Sequence, residues 1–191
     1  MQKRAARTYD ALIRAAAAEF DSRGYEGASL SRISKGASAS MGALTFHFPT
    51  KRHLADAVRA VGRDAVAVVT DGAEADRRAP LEALEGLTLA LVRLLEQDVV
   101  ARAAARLERD GPCGDPRACP AGEWTHGVRV LLERAAVAGE LRPGVPPDTV
   151  VALLTWLVAG SGAACRAPAE EVWQVLLHGM SAIPPPPPPP A

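Results

Sequence analysis

Three sets of residues in this 191-residue chain could do chemistry. Glu123-Trp124-Thr125-His126 has the Glu-x-x-His spacing that puts two metal ligands on one helix face, as in di-iron bundles. That chemistry needs two such motifs and two further glutamates, and the chain supplies one motif, so a helical-bundle metalloenzyme is a remote alternative. Ser40 and His47 could pair for nucleophilic catalysis, but no carboxylate neighbours them to orient the base. Cys113, Cys119 and Cys165 are odd in number and lack histidines at zinc-ligand spacing, which fits reduced thiols. The expectation is no enzyme and no cofactor. Charge is more informative. Residues 1–52 carry nine basic side chains against four acidic ones, a net of +5, and because the whole chain is neutral the remainder carries −5. A basic head on an acidic body points to a polyanion partner for the head. On charge alone, a solvated basic face without a partner is the alternative.

The elements that must position these residues read as helices. With 48% hydrophobic residues the chain can bury a core, and its longest apolar run, Val150 to Cys165, is interrupted by Thr155 and Ser161 and falls short of a membrane span. The N-terminus shows no signal-peptide pattern, so the expected location is the cytoplasm, with no membrane partner. Tyr9, Leu12, Ile13, Ala16 and Phe20 share one helical stripe, and Gly24 follows as a stop signal. Ser29 caps a short second helix running to about Ala37. Ser38-Ala39 makes a tight connection, and Ser40 caps a third helix through Phe46. Two short helices joined by so brief a turn form a helix-turn-helix.

Pro49 closes that unit, and Thr50 caps a long helix whose stripe is Leu54, Val58, Val61, Ala65 and Val68. Leu81, Leu84, Leu87, Leu91 and Leu94, then Val99, Val100, Ala103 and Leu107, predict two further helices with a break at Gln97-Asp98. Gly111 to Gly122 reads as a loop, followed by a helix from about Ala121 to Ala138 that Gly139 ends. Val150 to Ala159 is apolar nearly all round, and the last helix, Ala169 to Met180, shows Val172, Trp173, Leu176, Leu177 and Met180. Together they offer more apolar surface than one small body can cover, which predicts a homodimer. The resulting expectation is an all-α chain of about nine helices. Residues 1–50 form a helix-turn-helix DNA-binding domain, 51–182 a ligand-binding and dimerisation domain, and 183–191 a disordered proline-rich tail, with Pro184 to Pro190 extended.

The run Ile33-Ser34-Lys35-Gly36-Ala37-Ser38-Ala39-Ser40-Met41-Gly42-Ala43-Leu44-Thr45-Phe46-His47-Phe48, with Lys51 and Leu54 beyond it, closely resembles the DNA-binding signature of the TetR family. The resemblance implies a transcriptional repressor whose helix at Ser40 to Phe46 enters the major groove of operator DNA. Gly42 and Ala43 would let that helix approach closely, and Ser40, Met41 and Thr45 would face base edges or phosphates. It further implies phosphate contacts from Ser31, His47 and Lys51, and arm contacts from Lys3, Arg4 and Arg7. Phe46 is a candidate DNA contact, but with Phe48 it is more often a packing residue that locks the turn. Three positions depart from the family pattern. Ser38 stands where glycine is usual, Met41 where Lys or Arg is usual, and Thr45 where Tyr is usual. These changes should weaken phosphate anchoring, flatten the salt dependence and alter the operator read.

Pro80-Leu81-Glu82-Ala83-Leu84, Asp98-Val99-Val100-Ala101-Arg102-Ala103, Arg106-Leu107, Trp124 and Gly139-Glu140-Leu141 resemble landmarks of the γ-butyrolactone receptor branch of that family. This narrower resemblance implies a small-molecule effector, a lactone or an antibiotic, that releases the operator and so controls antibiotic production and differentiation. A pseudo-receptor that answers to an antibiotic or has no inducer is the alternative within the class. Trp124 would line or cover the ligand cavity. Trp156 is a second candidate wall, and Thr88, Thr125 and Thr155 are candidate polar groups.

Overall fold

A computed structural model of the protein describes residues 2–110, 120–160 and 168–182, apart from the side chains of 2–4, 120–123 and 160. The three cysteines and the Pro184 to Pro190 run lie outside the described residues, as does most of the expected 111–122 loop. The described residues form nine α-helices: α1 (Gln2–Gly27), α2 (Leu30–Gly36), α3 (Met41–His47), α4 (Lys51–Glu74), α5 (Pro80–Gln97), α6 (Val99–Arg109), α7 (Pro120–Val137), α8 (Pro147–Gly160) and α9 (Ala169–Met180). The all-α expectation holds. None of these helices is long and apolar enough to cross a membrane.

The predicted boundaries are set by local chemistry. Gly24 breaks α1 with φ 68° and ψ 179°, backbone that only glycine adopts readily. Ser40 Oγ accepts from Ala43 N at 3.1 Å, Thr50 Oγ1 accepts from His53 N at 3.2 Å, and Asp98 Oδ1 accepts from Val100 N at 2.7 Å, so each caps the helix it precedes. Ser29 holds the cap position of α2 without using its hydroxyl; its backbone N–H donates instead to Glu19 Oε1 at 3.2 Å. Helix α1 also starts earlier than its apolar stripe, at Gln2 rather than near Tyr9.

The described residues divide into two compact units, one within Met1–Ala67 and Leu94–Gly122, the other within Val68–Arg93 and Glu123–Ala191. In the first, Leu12, Ile13, Ala16, Phe20, Ile33, Leu44, Phe48, Leu54, Val58, Ala103 and Leu107 form one buried cluster drawn from α1, α2, α3, α4 and α6. Helix α6 grips α1 with two arginines. Arg102 Nε donates to Asp21 Oδ2 at 2.9 Å while its Nη1 reaches the carbonyls of Leu95 and Glu96, and Arg106 donates to the Asp21 carbonyl. The unit that holds α3 therefore extends beyond residues 1–50.

The buried stripe of α4 differs from the predicted one. Leu54 and Val58 are buried, but beyond them Gly62, Val66, Thr70 and Ala73 turn inward, while Val61 and Val68 face solvent. In the second unit, Leu81, Leu84, Leu87, Leu91, Leu131, Leu132, Val150, Leu154 and Trp173 are buried. Arg134 ties α7 to the end of α4 through the carbonyls of Glu74 and Asp76, and Glu140 Oε2 accepts from Leu81 N at 3.0 Å at the start of α5.

Candidate nucleic-acid interface

Helix α3 has seven residues, and a 100° step per residue sorts them into two arcs. Leu44 is buried and Ala43 and His47 are partly buried on the inner arc, whereas Met41, Thr45, Gly42 and Phe46 follow one another across about 140° of exposed surface. The inner arc is pinned by an aromatic cluster. Tyr9 lies 5.1 Å from the Phe48 ring, and the His47 ring meets Tyr9 at 6.0 Å and Phe46 at 5.4 Å. Phe48 therefore does lock the turn. Phe46 does not: it is 83% exposed, because the helical step carries it away from the core that takes Leu44.

The turn before α3 depends on Ser38, whose φ of 52° is left-handed backbone costing a non-glycine residue about 1 kcal/mol. The Ser38 and Ala39 N–H groups donate to the carbonyls of Lys35 and Ser34, holding the turn shut. Gly42 is different. Its φ is not left-handed, and an added Cβ would meet only Ser40 Oγ, at 3.9 Å, so nothing inside the protein requires a glycine there.

The remaining predicted contacts belong to the same unit. Ser31 is exposed on α2, and Lys35, Arg7, Arg14 and Arg52 are exposed cations of the same unit. Lys51 opens α4, where its ammonium lies 4.5 Å over the Tyr25 ring and 3.4 Å from the Glu26 and Ala28 carbonyls, so it is already held by the end of α1. Arg32 is also engaged, with Glu19 and the Gly27 carbonyl. The Lys3 and Arg4 side chains lie outside those described.

A helix pair closed by a tight turn, with the face of its second helix turned outward, can lie in a DNA groove. Comparison with known proteins gives the same picture. Residues 12–58 match the model of bacterial regulatory proteins, tetR family. The chain is 32% identical over 186 residues to the A-factor receptor protein of Streptomyces griseus, covering 92% of this chain and 64% of that protein's length. A crystal structure of a γ-butyrolactone receptor, described as ArpA-like, superposes with a TM-score of 0.83 at 32% identity, over 94% of this chain and 90% of that one. The chain belongs to the TetR family. Within the family it is γ-butyrolactone receptor-like. CprB of Streptomyces coelicolor, solved in complex with its biological operator sequence, matches at 34% identity and a TM-score of 0.82, over 93% of this chain and 90% of that one.

The ligand candidates of this TetR-family chain all fall in the second unit, on three helices. Trp124 is buried on α7 and Thr88 is buried on α5. The hydroxyls of Thr88 and Thr155 donate to their own helices, at the Leu84 and Val151 carbonyls, 2.8 and 2.7 Å away, and Thr125 is half-buried. Trp156 is 71% exposed on α8. Sequence reasoning passed over Trp173, which reads simply as one apolar residue of the α9 stripe. It is fully buried, and among the described residues its Nε1 donor has no hydrogen-bond partner. Of the Glu-x-x-His pair, His126 is exposed, and among the described residues no three His, Cys, Asp or Glu side chains are grouped to hold a metal ion.

Proposed function

We propose that this chain is a cytoplasmic transcriptional repressor that binds a pseudo-palindromic operator as a homodimer and leaves it when a small molecule, a γ-butyrolactone-type signal, binds the body. The observation that carries the reading is the exposed arc of α3, backed by the buried Leu44 and Phe48 and carried on a head, residues 1–52, with net charge +5. Residues 1–50 carry DNA recognition, 51–182 ligand binding and dimerisation, and the protein is not an enzyme. Ser31, Ser40, Met41, Gly42, Ala43, Thr45, Phe46, His47, Lys51 and Arg4 make up the DNA-facing set. Gly42 supports it, because only something outside the chain uses its smallness. Control of antibiotic production and differentiation follows from membership of the γ-butyrolactone receptor-like group. Selection of bound sequences from random duplex DNA by the full chain tests the reading. It should recover a pseudo-palindrome with half-sites about one helical turn apart, and recovery of unrelated, non-repeated sequences overturns it.

Ligand release is a coupling between two sites and must be reciprocal, the ligand weakening operator binding by the factor that operator weakens ligand binding. Helix α4 contributes residues to both units and is the element through which that coupling runs. Trp124 supplies apolar wall, with Thr88, Thr125 and Thr155 at its polar edge. To these we add Trp173, because an unpartnered N–H in an apolar interior costs about 1–3 kcal/mol, a cost that a lactone carbonyl accepting from Nε1 removes. Trp173→Phe keeps most of the ring and deletes the donor. It is expected to bind operator normally but to need about tenfold more ligand for release, measured by gel-shift titration. Unchanged release would remove Trp173 from the site.

A further inference from the structure

We propose that α3 reads thymine C5-methyl groups, so that direct recognition of the operator by this helix is apolar rather than through hydrogen bonds to guanine. The inference rests on the DNA-binding reading above and specifies what the exposed arc takes as its target. No side chain of that arc directs a donor outward. Thr45 has turned its hydroxyl inward, where Oγ1 lies 3.1 Å from the Met41 carbonyl and 3.2 Å from the Gly42 carbonyl. With Oγ1 against the helix backbone, the γ-methyl is the part of Thr45 left to the outside. Gly42 offers only its backbone. Met41 is 42% exposed and Phe46 83% exposed, both uncharged and both large.

Two polar groups stand at the edges of the arc. Ser40 Oγ accepts from Ala43 N as the helix cap, and the His47 ring is packed among Tyr9, Phe46 and Phe48. In the major groove each base pair shows a distinct edge. Guanine shows two acceptors, which arginine or lysine reads, adenine shows an amino group beside N7, which asparagine or glutamine reads, and thymine shows a methyl that apolar side chains read. The arc of α3 holds no arginine, lysine, asparagine or glutamine, and three of its four residues present carbon or sulfur. Its chemistry fits the thymine methyl. The cations of the head then serve position rather than sequence, through phosphates.

The test uses the full chain and a duplex obtained by selection from a random pool. In that duplex each thymine is replaced in turn by deoxyuridine, which removes the methyl and leaves base pairing intact. One or two positions per half-site are expected to lose about three- to fivefold in affinity each, and about tenfold or more when both half-sites are changed together. Met41→Ala and Phe46→Ala should each abolish the uracil penalty at one position, and Met41→Lys should shift selection towards guanine there. Both alanine changes are at exposed sites, and the helical circular dichroism of each variant verifies folding. Duplexes that are selected and bound, yet indifferent to uracil at every position, overturn the methyl inference while DNA binding stands. Retention of the same uracil penalties in both alanine variants also overturns it. If no duplex is enriched even at low salt, the DNA-binding reading itself fails.

Discussion

Trp156→Glu is expected to convert the protein to a monomer and to lower operator affinity by at least about 100-fold. Trp156 on α8 is 71% exposed and Val175 on α9 is 73% exposed, two large apolar side chains facing water on the unit proposed to dimerise. Tryptophan is the side chain most often found to dominate an interface when it enters a partner's pocket, and a carboxylate placed there must lose its water without gaining a partner. The functional effect exceeds the interface energy itself. Two heads in one dimer bind two half-sites as a single ligand, and the tether contributes about 10²–10⁴ in affinity that a monomer forfeits. Sedimentation velocity reports the oligomeric state and a gel-shift titration reports the affinity. Because Trp156 lies on the outside of its own chain, the helical circular dichroism should be unchanged. A Trp156→Glu protein that remains a dimer and binds operator as before would sink the assignment of this surface.

The second large effect is on stability, at Gly62. A Cβ built at Gly62 of α4 falls 2.3 Å from the Ala104 Cβ of α6 and 3.5 Å from the Val100 carbonyl oxygen. Two carbons need about 3.5–4.0 Å, and neither Cβ can swing away because each is fixed to its helix. Gly62→Ala must therefore part α4 from α6, an overpacking that costs about 1–3 kcal/mol. Alanine returns about 1 kcal/mol through helix propensity, leaving a net loss of up to about 2 kcal/mol. Gly72 on the same helix is the matched control, since a Cβ there meets nothing within 4 Å. Gly72→Ala should raise stability by up to about 1 kcal/mol. Denaturant unfolding of the two variants is expected to move the midpoint in opposite directions. A Gly62→Ala protein as stable as Gly72→Ala would show that α4 and α6 do not approach this closely.

How much of this was legible in the sequence depended on whether the deciding interaction was local. Ser40, Thr50 and Asp98 each cap a helix with atoms two or three residues away; a hydroxyl before an apolar run was sufficient to place the start of α3 and α4, whereas at α6 the sequence showed only a break at Gln97-Asp98. Gly24 and Ser38 likewise mark a helix break and a turn through their own φ angles. The proposed DNA-facing set rests mostly on a contiguous run on one short helix and its flanks, so it could be proposed from the sequence. Phe46 was the exception within it. Composition makes a phenylalanine a core residue, but its angular position relative to Leu44 puts it outside.

Elsewhere the partners lay far apart along the chain. Hydrophobicity alone put Val61 and Val68 on the buried stripe of α4, whereas packing selected Gly62 and Thr70, because a glycine lets α6 approach to a distance that valine forbids. The pairing of Arg102 and Arg106 with Asp21 joins residues more than eighty apart, and neither α6's membership of the first unit nor the buried, unpartnered indole of Trp173 had a local signature. The sequence by itself determined the helix-turn-helix, the Ser40 cap and the small or polar residues of α3, but neither the use of Ser29 nor the outward position of Phe46. Only the tertiary structure decided which faces of the longer helices are buried and, among the described residues, where a buried donor lies without a partner. The physical reason is range: caps and turns are satisfied within about one helical turn of chain, while burial is settled by whichever distant surface arrives to cover it.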